Sequence, residues 1–226
     1  MNVSCAVSDL GGERVAGYGD GRGRFASASI VKVGILAALL LRAQDAGRPL
    51  DAREEAYAEA MIRRSDNDAA TALWAAIGGA DGLDAAHRRL GLVETRADRA
   101  WGRTLTTARD QLTLLRAVFA VADAAAGSAP GPALSADSRM YVGHLMERVV
   151  PEQAWGVPAA GSGAAVKNGW MPRDPEGLWA VHSIGRVAVD GRPLLVAVLS
   201  DGHATREAGV ALVERVVREV TGARAR

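Results

Sequence analysis

Of the 27 basic residues in this 226-residue chain only Lys32 and Lys167 are lysine, and the other 25 are arginine. Arginine keeps its proton in any protein setting, whereas a lysine taken out of water can release one. Lysine at these two positions therefore reads as a chemical requirement. Ser29 stands three residues before Lys32, on the same face if the segment is helical. Asn168 and Gly169 follow Lys167, and Ser65-Asp66-Asn67 lies between the two lysine elements. Asparagine occurs only at Asn2, Asn67 and Asn168, so two of the three belong to these clusters. A serine hydroxyl is a poor nucleophile until a base takes its proton. Lys32, desolvated against apolar residues and facing the cation of Lys167, would have a lowered pKa and could be that base. The chemistry such a pair could do is nucleophilic catalysis by Ser29.

Positioning Ser29 and Lys32 falls to the run from Val33 to Leu41, which has no charge before Arg42 and predicts a helix apolar nearly all round, at the centre of a domain. Gly47 and Pro49 stop it. Residues 3–8 read as a strand, Gly11-Gly12 as a turn and 14–18 as the hairpin partner. Residues 17–23 are Gly-rich without a dinucleotide fingerprint. Helices are predicted over 51–64 and, after the break at Ser65-Asp66-Asn67, over 69–77, with a stop at Gly78-Gly79. Another follows over 81–90, then one capped by Thr106 or Thr107 and ending near Phe119. Residues 122–132 form a surface connection, and Ser135 caps a helix ending near Val149. A short strand over 164–167 leads into Asn168-Gly169-Trp170, and the chain turns over 173–177. Residues 178–189 and 194–200 pair across the Asp190-Gly191 turn, and a helix over 205–220 closes the chain. The order gives an α+β fold, with a five-stranded antiparallel sheet from both chain ends, a terminal helix on it and an inserted all-helical lobe. Residues 1–226 form a single catalytic domain on this reading, with a sheet lobe over 1–23 and 151–226 and a helical lobe over 24–150.

Composition narrows the function classes. At 49% hydrophobic residues the chain can bury one sizeable core. A net charge of +1 without a basic block gives no sign of nucleic acid binding. No apolar run approaches the roughly 20 residues of a membrane span. Cys5 is the sole cysteine, and no Cys or H-E-x-x-H cluster suggests a metal. No cofactor is expected, and the chain reads as a monomer. An export signal ahead of Met1 would make it secreted or cell-envelope; a complete chain would be cytoplasmic.

The three clusters correspond to the S-x-x-K, S-D-N and K-T-G elements of β-lactamases and penicillin-binding proteins. In this order, over essentially the whole length, the chain resembles the class A β-lactamase-like branch of the penicillin-recognising serine hydrolases, with the β-lactamase/transpeptidase-like fold. The resemblance implies an acyl-enzyme on Ser29, with Lys32 and Lys167 also catalytic, and a proton relayed by Ser65 to the leaving nitrogen. It implies that Asn67 holds the substrate's amide side chain and that Lys167 and its neighbours, Asn168 and Gly169, attract a substrate carboxylate. The oxyanion hole would be the backbone N–H groups of Ser29 and Trp170. The substrate would be a small-molecule or peptide amide or lactam.

The chain also departs from that pattern. Class A enzymes carry a glutamate in an E-x-x-L-N loop that activates the deacylating water. Here the segment 90–106 offers Glu94 and Asp98, without the pattern and in a loop that looks too short. Deacylation of a lactam is expected to be slow, or to reuse Lys32 and Ser65. Asn168 replaces a Thr or Ser, Trp170 replaces a small residue, and the interval from Ser29 to Ser65 is short. A D,D-carboxypeptidase or esterase, or a penicillin sensor that stays acylated, are the alternatives. His182 and Arg186, on the strand after Lys167, are candidate donors to a substrate carboxylate. Trp170 is expected to line the site, with Trp155 and Trp179 in the core, and His87, His144 and His203 outside it. Asp66 reads as a cap.

Overall fold

The computed structural model describes residues 1–10, 16–18, 23–119, 132–173 and 177–222. The Gly11-Gly12 turn, most of the Gly-rich segment, nearly all of the 122–132 connection and residues 174–176 of the 173–177 turn lie outside them. The chain opens with β1 (Asn2–Asp9), β2 (Ala16–Tyr18) and β3 (Phe25–Ala26). The helical part comprises α1 (Val31–Asp45), α2 (Ala52–Arg63), α3 (Asn67–Ala76), α4 (Gly79–Arg89), α5 (Ala108–Phe119) and α6 (Ala136–Glu147). A short β4 (Leu105–Thr106) precedes α5, and β5 (Ser162–Arg173), β6 (Leu178–Val189), β7 (Arg192–His203) and α7 (Arg206–Thr221) complete the chain.

Among the described residues the main sheet has five strands in the order β2-β1-β7-β6-β5, with every neighbouring pair antiparallel. Alternation along the strands divides two cores. On β7, Val196 and Val198 pack towards Val213 and Val217 of α7, while Leu195, Ala197 and Leu199 face the helices around α1. Helix α1 is buried at twelve of its fifteen positions, among them Lys32. Truncating one of its large side chains, such as Leu36, removes about 2–5 kcal/mol.

Local rules account for most boundaries. Asp51 and Glu54 form a reciprocal capping box at α2. Asp66, Ser135 and Thr205 each accept an N–H of the first turn of α3, α6 and α7, and Thr107 Oγ1 accepts from Asp110 N at the start of α5. Asp190 and Gly191 both have positive φ, 49° and 76°, as a two-residue hairpin turn of this type requires. Two expectations change. The strand expected over 164–167 runs on through Asn168-Gly169-Trp170 to Arg173 because it stays paired with β6. The pairing of β3 with β4, Phe25 opposite Thr106, had no sequence signal, since each strand has only two residues. No described helix is long and apolar enough to cross a membrane.

Candidate functional site

Ser29 lies in a 3-10 turn, Ala28–Ile30, directly ahead of α1. Its approach is fixed from both sides. Ser27 N donates to Thr104 O at 2.8 Å, and the Ala26 carbonyl accepts from His182 Nε2 at 2.8 Å. Ala28 has φ 46°, a left-handed backbone that costs a residue with a Cβ about 1–3 kcal/mol. That bend leaves Ser29 partly exposed between buried Ala28 and Ile30. Gly169, on the edge strand β5, lies against the same turn. A Cβ there would stand 2.8 Å from Ser29 N, 2.9 Å from Ile30 N and 3.1 Å from Ser27 O. Only glycine permits this approach.

Behind Ser29 four side-chain groups converge. Lys32 Nζ donates to Ser65 O at 2.7 Å, Asn67 Oδ1 at 2.7 Å and Ser65 Oγ at 3.2 Å. Lys167 Nζ donates to Ser65 Oγ at 2.9 Å and to Asn168 O at 2.9 Å. Ser65, whose φ of 58° marks the break between α2 and α3, thus holds its hydroxyl between two ammonium groups. With both acceptor positions occupied, its own O–H proton is left to donate elsewhere. The lysines are 0% and 1% exposed. Burial lowers Lys32 from 10.5 to about 8 against the opposing pull of Asp66. Burial, together with repulsion from Lys32, drives Lys167 well below its ordinary value. Asp66 caps α3 through Ala69 N at 2.7 Å, as expected. The Ser29 hydroxyl has no hydrogen-bond partner among the described residues; Lys32 directs its donors to Ser65 and Asn67 instead.

The segment between α4 and α5 completes the surroundings. Asp110, 2% exposed, accepts from Glu94 N (2.8 Å), Thr95 N (2.6 Å) and Thr95 Oγ1 (2.7 Å), and Asp84 accepts from Ala97 N at 2.9 Å. These bonds carry the chain into a 3-10 turn, Trp101–Arg103. The Trp101 ring lies over Lys32, with Nζ 4.9 Å from the ring centroid, and its Nε1 donates to Thr71 Oγ1 at 3.3 Å. The Glu94 carboxylate accepts from Thr107 Oγ1, at 3.5 Å, and the exposed Asp98 accepts from Ala100 N; among the described residues neither bonds a lysine of the site. Trp101 was invisible to motif reasoning. Its one signal is a tryptophan between arginines in a segment with no helical or strand periodicity.

Four further candidates are placed elsewhere, for reasons of strand alternation and prior engagement. Lys167 and Gly169 point one way from β5, so Asn168 and Trp170 point the other. The Asn168 amide is buried and donates to Gln153 O (2.8 Å) and Trp155 O (2.9 Å). The Trp170 ring packs against Trp155, with centroids 5.9 Å apart, and under the Arg206 guanidinium at 4.2 Å. Trp170 can offer the cleft its backbone but not its indole. Arg186 is held by Glu147 and stacks over Phe119 at 5.0 Å. His182, pairing with Gly169 across the strands, is 0% exposed. Its Nε2 faces Ala26 O and its Nδ1 accepts from Ser200 N at 3.2 Å. Burial pushes it down to about 4, so it is a neutral tether and not a substrate donor. His87 is buried 3.7 Å from Asp84, and His203 bonds Ser200 Oγ at 2.9 Å.

A model of the beta-lactamase enzyme family matches residues 55–223. Among solved structures, an ancestral class A beta-lactamase (GNCA) is 25% identical, with 99% of this chain and 94% of that chain covered and a TM-score of 0.78. A putative class A beta-lactamase, PenP, from Rhodopseudomonas palustris is 24% identical, with 98% and 94% covered and a TM-score of 0.78. A beta lactamase from Xanthomonas campestris is 21% identical, with 98% and 92% covered and a TM-score of 0.77. The last two likenesses bear on the fold alone. No curated protein matches the chain.

Proposed function

The chain belongs to the beta-lactamase enzyme family, and from that membership we propose that it is a serine hydrolase that opens an amide or β-lactam bond through an acyl-enzyme on Ser29. Residues 1–226 act as one catalytic unit, with the cleft between the sheet lobe, 1–23 and 151–226, and the helical lobe, 24–150. The observation that carries the reading is the Ser65 hydroxyl held between two buried lysines, 3.2 Å from Lys32 Nζ and 2.9 Å from Lys167 Nζ, behind Ser29.

Lys32, with its amine lowered to about 8, accepts the proton of Ser29 as Oγ attacks the carbonyl carbon. The carbonyl oxygen gains charge opposite the backbone N–H groups of Ser29 and Trp170, brought close by Gly169; one such aimed donor is worth about 3–4 kcal/mol in the transition state. The C–N bond breaks as nitrogen takes the Ser65 proton, which the lysines replace. Asn67 keeps Oδ1 on Lys32, so its Nδ2 is the group left for a substrate carbonyl. Lys167, too deeply buried for direct contact, acts on a substrate carboxylate through its field. Release of the acyl group is slow, because Glu94 and Asp98 stand away from the lysines.

Intact-mass spectrometry after mixing with benzylpenicillin tests this. The expected result is a persistent adduct of one penicillin per chain, absent from Ser29→Ala. Neither adduct nor penicillin consumption in the wild type, or an unchanged adduct in Ser29→Ala, overturns the proposal.

A further inference from the structure

The Lys32 amine is buried and closely surrounded. Its three N–H groups are directed at Ser65 O, Ser65 Oγ and Asn67 Oδ1, and the Trp101 ring covers it at 4.9 Å. The ring is fixed at both ends. Its Nε1 is bonded to Thr71 on α3. The next residue, Gly102, lies against the Ser29 turn, where a Cβ would come 4.0 Å from Ala28 Cα. The bonds to Asp110 and Asp84 pin the segment leading to it. A face of an aromatic ring attracts an ammonium but gives water no hydrogen-bond acceptor of comparable strength to an oxygen.

Hydrolysis of a Ser29 ester requires a water beside a group able to take its proton. The water oxygen attacks the ester carbonyl carbon, its proton passes to that base, the bond from carbonyl carbon to Ser29 Oγ breaks, and Oγ recovers the proton as the ring-opened acid leaves. With Glu94 and Asp98 held elsewhere, Lys32 is the base that remains, and the Trp101 ring lies over its amine. We infer that the Trp101 indole is the wall that sets the lifetime of the acyl-enzyme, and that it makes the cleft a covalent trap for lactams. The inference rests on the Ser29 acylation reading and assigns Trp101 a positioning role acting through Lys32 and the excluded water.

The test compares wild type with Trp101→Ala, Trp101→Leu and Trp101→Phe, each acylated with benzylpenicillin, freed of excess reagent and followed by intact mass. The first-order deacylation rate of the isolated adduct is expected to rise at least about tenfold in Trp101→Ala, with free penicilloic acid as product. Trp101→Phe retains a ring face and keeps a lifetime close to that of the wild type. Trp101→Leu keeps apolar contacts for folding and shortens the lifetime at least about threefold, which secures the test should the alanine variant not fold. A general loss of packing would slow acylation and would not speed deacylation of the isolated adduct. Equal adduct lifetimes in wild type and the alanine or leucine variants overturn the inference alone, as does a phenylalanine variant that deacylates as fast as the leucine one. A wild type that never forms an adduct overturns the serine-hydrolase reading and this inference with it.

Discussion

Gly169→Ala adds one methyl group where the backbone has no room. The new Cβ would stand 2.8 Å from Ser29 N, 2.9 Å from Ile30 N and 3.1 Å from Ser27 O, and carbon does not approach backbone atoms that closely without something shifting. All three neighbours are main chain, held by the Ser27–Thr104 bond and the start of α1, so no side chain can swing aside. The edge strand must lift off the turn instead. Overpacking of this kind costs about 1–3 kcal/mol of stability. Lifting β5 also carries the Trp170 amide away from Ser29. Loss of one aimed donor reduces the rate by about 10²–10³-fold. The assay is the second-order acylation rate with a fluorescent penicillin, alongside thermal unfolding. A Gly169→Ala protein acylated at the wild-type rate would refute the claim that the strand and the turn together form the anion-binding part of the cleft.

Other outcomes follow from the same geometry. Because burial lowers Lys32 to about 8, the neutral base is populated above that pH, and the acylation rate should climb about tenfold per unit from pH 6 towards 8 and then level; a flat profile over that range contradicts the base assignment. An amine held at about 8 instead of 10.5 weakens the folded state by about 3 kcal/mol at neutral pH, and the penalty fades as pH rises from the folded towards the unfolded value. Urea unfolding of Lys32→Met should therefore show an inactive protein whose stability relative to wild type falls by about 2–3 kcal/mol between pH 7 and pH 10; a difference that stays constant with pH speaks against the burial penalty. His182→Leu leaves Ala26 O and Ser200 N without partners, so it should lose about 2–4 kcal/mol by urea unfolding and slow acylation by misplacing Ser29. Unchanged stability would mean that the tether carries no load.

The sequence carried the architecture because its signals were local. The apolar run of α1, the caps at Asp51, Asp66, Ser135 and Thr205, and the Asp190-Gly191 turn each act within a few residues. Ser65, Asn67 and the two lysines were legible as well, since an arginine-rich chain that keeps lysine at two positions marks them. What escaped depends on direction and distance. Motif reasoning took Asn168 and Trp170 as neighbours of Lys167, but alternation along a strand sends them to the far face, against Trp155 and Arg206. His182 does lie on the correct face, next to Gly169, yet both ring nitrogens are committed to main-chain groups. Trp101 reaches Lys32 only through the anchoring of a loop by Asp84 and Asp110, contacts that span the chain and leave no periodic trace.

The central claim is that Ser29, and not Ser65 with its hydroxyl between the two lysines, becomes acylated. Proteolytic digestion of the penicillin-treated protein followed by tandem mass spectrometry locates the added mass directly. It should lie on Ser29 in the wild type and vanish in Ser29→Ala. Acyl mass on Ser65, or on any residue outside the cleft, would contradict the account.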